Sequence, residues 1–240
     1  MGYEFLLSGL PELTANSAAP MSDEALLELL RETLKEQDLR ELELLDMQNN
    51  NEVVLDLLTR YDDSIIDQPI WWDDVRDVLS EEDLRSQILY EYGRHHGCRF
   101  VREWYAFNQD VNNVMAATVC RKHGFDVRKA IVGTNEVAAI LRKNPAQKDF
   151  GLAAYLDNLN EIIAVAEEEN LMERERKLDA LRFIWLEDRT RFVDFSIENV
   201  LAYRLQTKML NRWVGLTLEE GEKIFRELVA DMKKGIKLDA

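Results

Sequence analysis

A chain of 240 residues can bury a sizeable core in one or two domains, and an apolar fraction of 46% is that of a globular protein rather than a disordered one. Its formal charge of −16 argues against nucleic acid and anionic membrane surfaces as partners, and suits a basic partner surface. Ten Gly and four Pro leave few breakers, so the chain is predicted to be all-α. Two cysteines make no disulfide framework.

The opening MGYEFLLSGLPEL has no basic n-region and reads as no signal peptide, and Leu6 stands where a myristoylation signal needs Ser or Thr. No window approaches the ~18–20 apolar residues of a membrane span. The expectation is a soluble, cytoplasmic protein forming a single all-helical domain over residues 1–240, with sub-lobes at about 1–79, 80–150 and 151–240.

Taken in order, Tyr3–Leu7 is a short apolar strand or helical turn, and Thr14–Pro20 is a loop. Ser22 caps a helix carrying Leu26, Leu27, Leu30 and Leu34 at helical spacing. Asp38 can cap the next, with Leu39, Leu42 and Leu45. Gln48–Asn51 is a polar turn, Val53–Leu58 is helical, and Tyr61–Asp77 is irregular, setting Trp71 and Trp72 among acids. Ser80 to Asp83 resembles a capping box for a helix through Tyr92. Gly93 and Gly97 bracket a bend, and a long helix follows from Cys98 to His123, stopped by Gly124. Asp126 and Thr134 cap short helices (Val127–Val132 and Asn135–Lys143). Leu152 to about Asp188 forms two helices or one broken helix with the charge run Glu167–Lys177 exposed, and Phe183, Trp185, Leu186 and Phe192 return it to a core. Ser196 caps a helix from Ile197 to Val214, and Thr217 with Glu220 opens a last one to Lys234.

The stretch Tyr90–Gly124 gathers all three histidines and both cysteines. His96, Cys98, Cys120 and His123 are zinc-ligand types, but within one helix the cysteines lie 22 residues apart, roughly 33 Å at about 1.5 Å per residue. They cannot share a metal unless that helix breaks. A nucleophile at Cys98 with His95 or His96 lacks an evident oxyanion loop. Acid pairs such as Asp62-Asp63 and Asp73-Asp74 read as solvated faces, and no phosphate-binding glycine loop is present. No catalytic residue, cofactor or metal site is therefore assigned.

On a helical wheel Phe100, Trp104, Phe107, Val111, Val114, Met115 and Thr118 share one face. Asp110 and Asn113 stand at one edge, Asn108 and Asn112 at the other. Such polar side chains beside a buried stripe are expected to bond neighbouring helices or loop backbones. Trp71 and Trp72 read either as a partner-binding anchor or as one core plug beside one surface ring. Glu167–Lys177 reads as a solvated helix, with a protruding coiled-coil arm as the alternative.

The segment FVREWYAFNQDVNNVMAATVCR resembles the central-stalk connector of V/A-type rotary ATPases, the component called C in prokaryotes and d in eukaryotes. The residues that carry the likeness are Phe100, Arg102, Trp104, Asp110, Asn113 and Arg121. Glu198–Leu228, with Leu201-Ala202-Tyr203, Asn211 and Arg212, is similar to that family's C-terminal helix pair, although Lys208 stands where an acid is usual. The opening YEFLLSGLPEL is similar to that of a shorter bacterial family accompanying these ATPases. The resemblance implies helical lobes of the C/d kind, reduced in number in a shorter chain. It also implies a non-catalytic connector between the membrane rotor ring and the central shaft, cytoplasmic and peripheral to the inner membrane. Phe100, Arg102, Trp104, Asp110, Asn113, Tyr203 and Arg212 would then be structural residues. The alternatives are an acidic helical scaffold or regulator unrelated to ATPases, docking through Trp71 and Trp72, and a zinc-dependent enzyme.

Overall fold

The structure, a computed structural model, describes residues 3–14, 18–47, 51–77 and 79–214. Most of the expected turn at Gln48–Asn51, part of the Thr14–Pro20 loop, and the expected last helix with its Thr217–Glu220 capping box lie outside these residues. Among the described residues the fold is all-α, without strands. The helices are α1 (Glu4–Gly9), α2 (Asp23–Thr33), α3 (Glu36–Asp46), α4 (Asn51–Asp62), α5 (Trp72–Val75) and α6 (Glu81–His95). They are followed by α7 (Arg99–His123), α8 (Glu136–Lys143), α9 (Leu159–Glu167), α10 (Leu171–Thr190) and α11 (Ile197–Val214). None of the described helices is long and apolar enough to cross a membrane.

The helix ends follow local chemistry. Ser22 accepts from Ala25 N at 3.2 Å, and Ser80 accepts from Asp83 N at 3.1 Å, so both expected caps form. Gly124 closes α7 in the left-handed region (φ 73°), with Phe125 N donating to Cys120 O at 2.8 Å. Three expectations are corrected. Helix α3 starts at Glu36 behind Lys35, which makes no side-chain cap, so Asp38 instead places its charge in the positive first turn. Asn135, not Thr134, caps α8 by accepting from Ala138 N at 2.9 Å. Asp126 supports only a 3₁₀ turn, Val127–Lys129, because the chain then enters a buried extended loop.

The chain divides into two compact units, Lys35–Trp185 and the described parts of Met1–Leu34 with Leu186–Ala240. In the latter, α2 packs on α11. Arg204, 2% exposed, pairs both terminal nitrogens with the carboxylate of Asp23. Removing one partner of such a pair leaves an uncompensated charge. Tyr203 donates to Pro11 O at 3.0 Å and Asn211 to Met21 O at 3.0 Å, so α11 also fastens the segments flanking α2. Phe192 does not return to a core. It is 90% exposed in the turn after α10, where helical spacing no longer governs which way a side chain faces.

The Lys35–Trp185 unit is built around α7, which packs against α3, α6, α8 and α9. Trp185 fills the aromatic end of this core, its ring centroid 5.5 Å from Trp104, 5.1 Å from Phe107 and 5.9 Å from Phe100. The buried set exceeds the expected stripe. Val101, Tyr105, Gln109 and Ala117 are buried as well, because helices surround α7 instead of covering one side. A second cluster joins Leu57 and Leu58 of α4, Trp72, and Leu84 and Ile88 of α6. Gly93 marks no bend. It lies inside α6, where a Cβ would fall within the Tyr105 ring. The bend is at Gly97 (φ 82°).

Gly93→Ala tests this packing. In an open helix the change stabilises by up to about 1 kcal/mol. Here overpacking against Tyr105 is expected to cost about 1–3 kcal/mol net, read as a lower urea midpoint with unchanged slope.

Candidate functional site

Three polar residues of α7, Gln109, Asp110 and Asn113, converge on the loop that links the 3₁₀ turn to α8. Ile131, Val132 and Gly133 of that loop are buried, so their backbone groups need partners inside the protein. Asn113 supplies two of them, its Nδ2 donating to Val132 O at 2.6 Å and its Oδ1 accepting from Val132 N at 2.9 Å. Arg142 donates to Ile131 O at 2.7 Å and Gly133 O at 2.8 Å. Gln87 of α6 accepts from Gly133 N. Gly133 has φ 100° and lies so close to the Gln109 amide that no Cβ fits between them.

Asp110 accepts from Asn135 Nδ2 at 2.6 Å, and so holds the residue that caps α8. Burial pushes the Asp110 carboxyl up to about 6, against the opposing pull of that hydrogen bond and of Arg94. Asn108 accepts from Arg182 Nε at 2.9 Å, and Asn112 donates to the Tyr90 hydroxyl. At the C-terminal end Arg121 donates to Gln147 O at 2.7 Å and Lys148 O at 2.9 Å while its guanidinium lies 4.2 Å from the Phe150 ring centroid. Arg102 is exposed and donates to Gly97 O at 3.2 Å. In α11, Tyr203 is half-buried, and Arg212 is exposed with its guanidinium over the Trp213 ring.

The zinc candidates are not brought together, since His96 and Cys98 stand at one end of the unbroken α7 and Cys120 and His123 at the other. Among the described residues no group of three or more His, Cys, Asp or Glu could hold a metal ion. Burial, with Glu41 adding to it, raises the Cys98 thiol to about 11, and burial raises Cys120 as well. A thiol so shifted is protonated at neutral pH and is not poised as a nucleophile.

A different constellation forms at the other face of α6. Tyr61, Pro69, Ile70 and Trp71 face Ile88, Glu91, Tyr92, His95 and His96 across a groove of about 580 Å³, with Asp74 and Thr134 completing it. Trp72 plugs the core at 4% exposure, and half-buried Trp71 forms the wall, its ring centroid 6.1 Å from that of Trp72. His96 stacks on Tyr92 at 3.8 Å and its Nδ1 lies 2.7 Å from Tyr92 O. Glu91 sits behind them, 3.7 Å from Arg94 and 3.8 Å from His95. Burial raises the Tyr61 phenol, with the neighbouring Tyr92 phenol adding to it. Sequence reasoning singled out Trp71, weighed His95 and His96 only for zinc or nucleophilic chemistry and Asp74 only as part of a solvated acid pair, and missed Tyr61, Tyr92 and Glu91. One available hint was the helical spacing of Glu91, Tyr92, His95 and His96, which puts four polar or aromatic side chains on adjacent turns.

Among the described residues the architecture is thus all-helical, with a polar-clamped helix α7 and an aromatic groove at α6. Residues 71–236 match the model of a family described as Protein of unknown function (DUF2764), and the chain belongs to that family. No curated protein and no solved structure matches it.

Two substitutions probe the α7 clamp. Asn113→Ala strands both backbone groups of buried Val132 and is expected to cost about 2–4 kcal/mol in denaturant unfolding. Asp110 has a raised folded-state pKa, so its stabilising contribution is present below about pH 4 and lost as pH rises through about 6. Asp110→Asn is accordingly expected to stabilise by up to about 3 kcal/mol at pH 7.5 and to give no gain at the acid end, read from paired melts across pH.

Proposed function

We propose that this chain is a non-catalytic coupling subunit of a V/A-type rotary ATPase, seated between the membrane rotor ring and the central shaft. It would lie on the cytoplasmic side and be peripheral to the inner membrane through that complex. The observation that carries the reading is the resemblance of Phe100–Arg121 to the motif of the ATPase central-stalk connector, taken with the part those residues play in α7. Phe100 and Trp104 pack on Trp185, Asp110 and Asn113 clamp the loop before α8, and Arg121 holds the loop after it.

A part that transmits torque must resist twisting. A buried helix of 25 residues, roughly 37 Å long, fixed by side-chain bonds to its neighbours suits that role. The charge of −16 suits docking onto basic faces of a shaft or ring loop.

A second reading, an acidic helical scaffold or regulator unrelated to ATPases, is favoured by the groove at Trp71. Affinity-tagged protein purified from its native cells separates the two. The coupling role predicts that central-stalk and rotor-ring subunits co-purify in stoichiometric amounts, and that the isolated chain hydrolyses no ATP. Recovery of a single unrelated partner, lost in Trp71→Ala, would replace the first reading with the second.

A further inference from the structure

We infer that the α6 groove is a docking site for a basic side chain, arginine or lysine, carried on a segment of a partner protein. The inference names the partner chemistry of the groove and stands whether or not that partner belongs to a rotary ATPase.

Three aromatic rings, Tyr61, Trp71 and Tyr92, line the groove, and the negative face of an aromatic ring attracts a cation. One exposed carboxylate, Asp74, completes it at the rim, while buried Glu91 is already held by Arg94 at 3.7 Å and by the Thr134 backbone N–H and hydroxyl. Lining residues include no Lys or Arg among those described. The nearest basic side chains are already engaged. Arg76 is paired with Asp62 through two nitrogens and lies 5.9 Å from the Trp72 ring centroid, while Arg94 donates to Gln109.

The surrounding chain sharpens the sign of the field. Tyr61–Asp77 carries six aspartates against one arginine, a net of −5, and α6 opens on Glu81, Glu82 and Asp83. Such a wall steers a cationic segment toward the groove and concentrates it there. Ile70, fully exposed beside Trp71, and Ile65, 63% exposed, supply apolar contact for residues flanking the basic one. A concave aromatic centre with a charged rim and an apolar margin has the anatomy of a hot spot. The groove's volume lies within the usual range for a ligand cleft, about 300–1,000 Å³, and exceeds what one side chain needs, so room remains for its flanking residues.

The test is a side-chain NMR titration of the full chain with short blocked peptides. One bears Leu-Arg-Leu, one Leu-Lys-Leu and one Leu-Gln-Leu, and tetramethylammonium is titrated alongside. The inference predicts shifts of the Trp71 indole and the Tyr61, Tyr92 and His96 rings with the Arg and Lys peptides, and binding of the Gln peptide weaker by about fivefold or more. Trp71→Ala and, separately, Asp74→Asn should each weaken the Arg peptide by about fivefold or more, with unchanged helical circular dichroism. Asp74 is exposed, so its variant keeps the test valid should Trp71→Ala disturb Trp72. Shifts scattered over the acidic surface, or equal affinity for the Gln peptide, would overturn the inference. So would tetramethylammonium binding as tightly as the Arg peptide, which would make the groove a small-cation site.

Discussion

The pair of hydrogen bonds between the Asn113 amide and the backbone of Val132 is the constraint on which the larger unit rests. An amide side chain offers one donor and one acceptor side by side, and so satisfies both polar groups of a peptide residue that has no strand or helix to join. With Val132 held, Gly133 can pass the Gln109 amide at a φ closed to most residues, and Asn135 arrives where it can both cap α8 and bond Asp110. Replacing the Asn113 amide by hydrocarbon would bury unpaired backbone, which costs more than the bonds themselves contribute.

Legibility from sequence followed the range of the interactions. Ser22, Ser80 and Gly124 were readable because a cap is decided by three or four neighbouring residues. The starts of α3 and α8 were not: Lys35, a poor capping residue, precedes α3 three positions ahead of the better candidate Asp38, and Asn135 competed with the adjacent and equally plausible Thr134. The polar edge of α7 was visible in Asp110 and Asn113, but not what it held, since the loop at Val132 lies 19 residues further on. The wheel also predicted one buried face where the packing buries more. Periodicity reports a helix against a single layer, and α7 has neighbours on several sides.

The groove was the least legible feature. Tyr61 ends α4, Trp71 precedes a single-turn helix and Tyr92 sits deep in α6, so only the packing of α4 on α6 makes them one surface. What the sequence did disclose was its electrical setting, an aspartate-rich segment carrying two adjacent tryptophans. The fold then divides the labour between those rings, committing Trp72 to the core and leaving Trp71 available at the wall. Clamp and groove share α6. Gln87 and Arg94 of α6 reach the clamped region, Tyr92 and the two histidines face the groove, and Glu91 touches both, lining the groove while accepting from the Thr134 N–H and hydroxyl. A partner seated against Tyr92 would press on the helix that braces the centre of the unit.

The contact between Gly93 and Tyr105 bears on how these helices can move. The Tyr105 ring occupies the notch left by a missing side chain on α6, and its hydroxyl donates to Leu44 O of α3 at 2.6 Å. A ring seated in a notch acts as a key in a keyway. It opposes rotation of α6 about its own axis, which would bring the Cβ of Tyr92 or Arg94 into the slot, and a slip of one helical turn, which would bring that of Leu89, Tyr90 or His96. Sliding of α6 on α7, the usual compliance of packed helices, is therefore resisted by this contact, and the Tyr105–Leu44 bond ties α3 to the same ring. A rearrangement of that trio is easiest as a rigid block, because any other path first withdraws the ring from its notch.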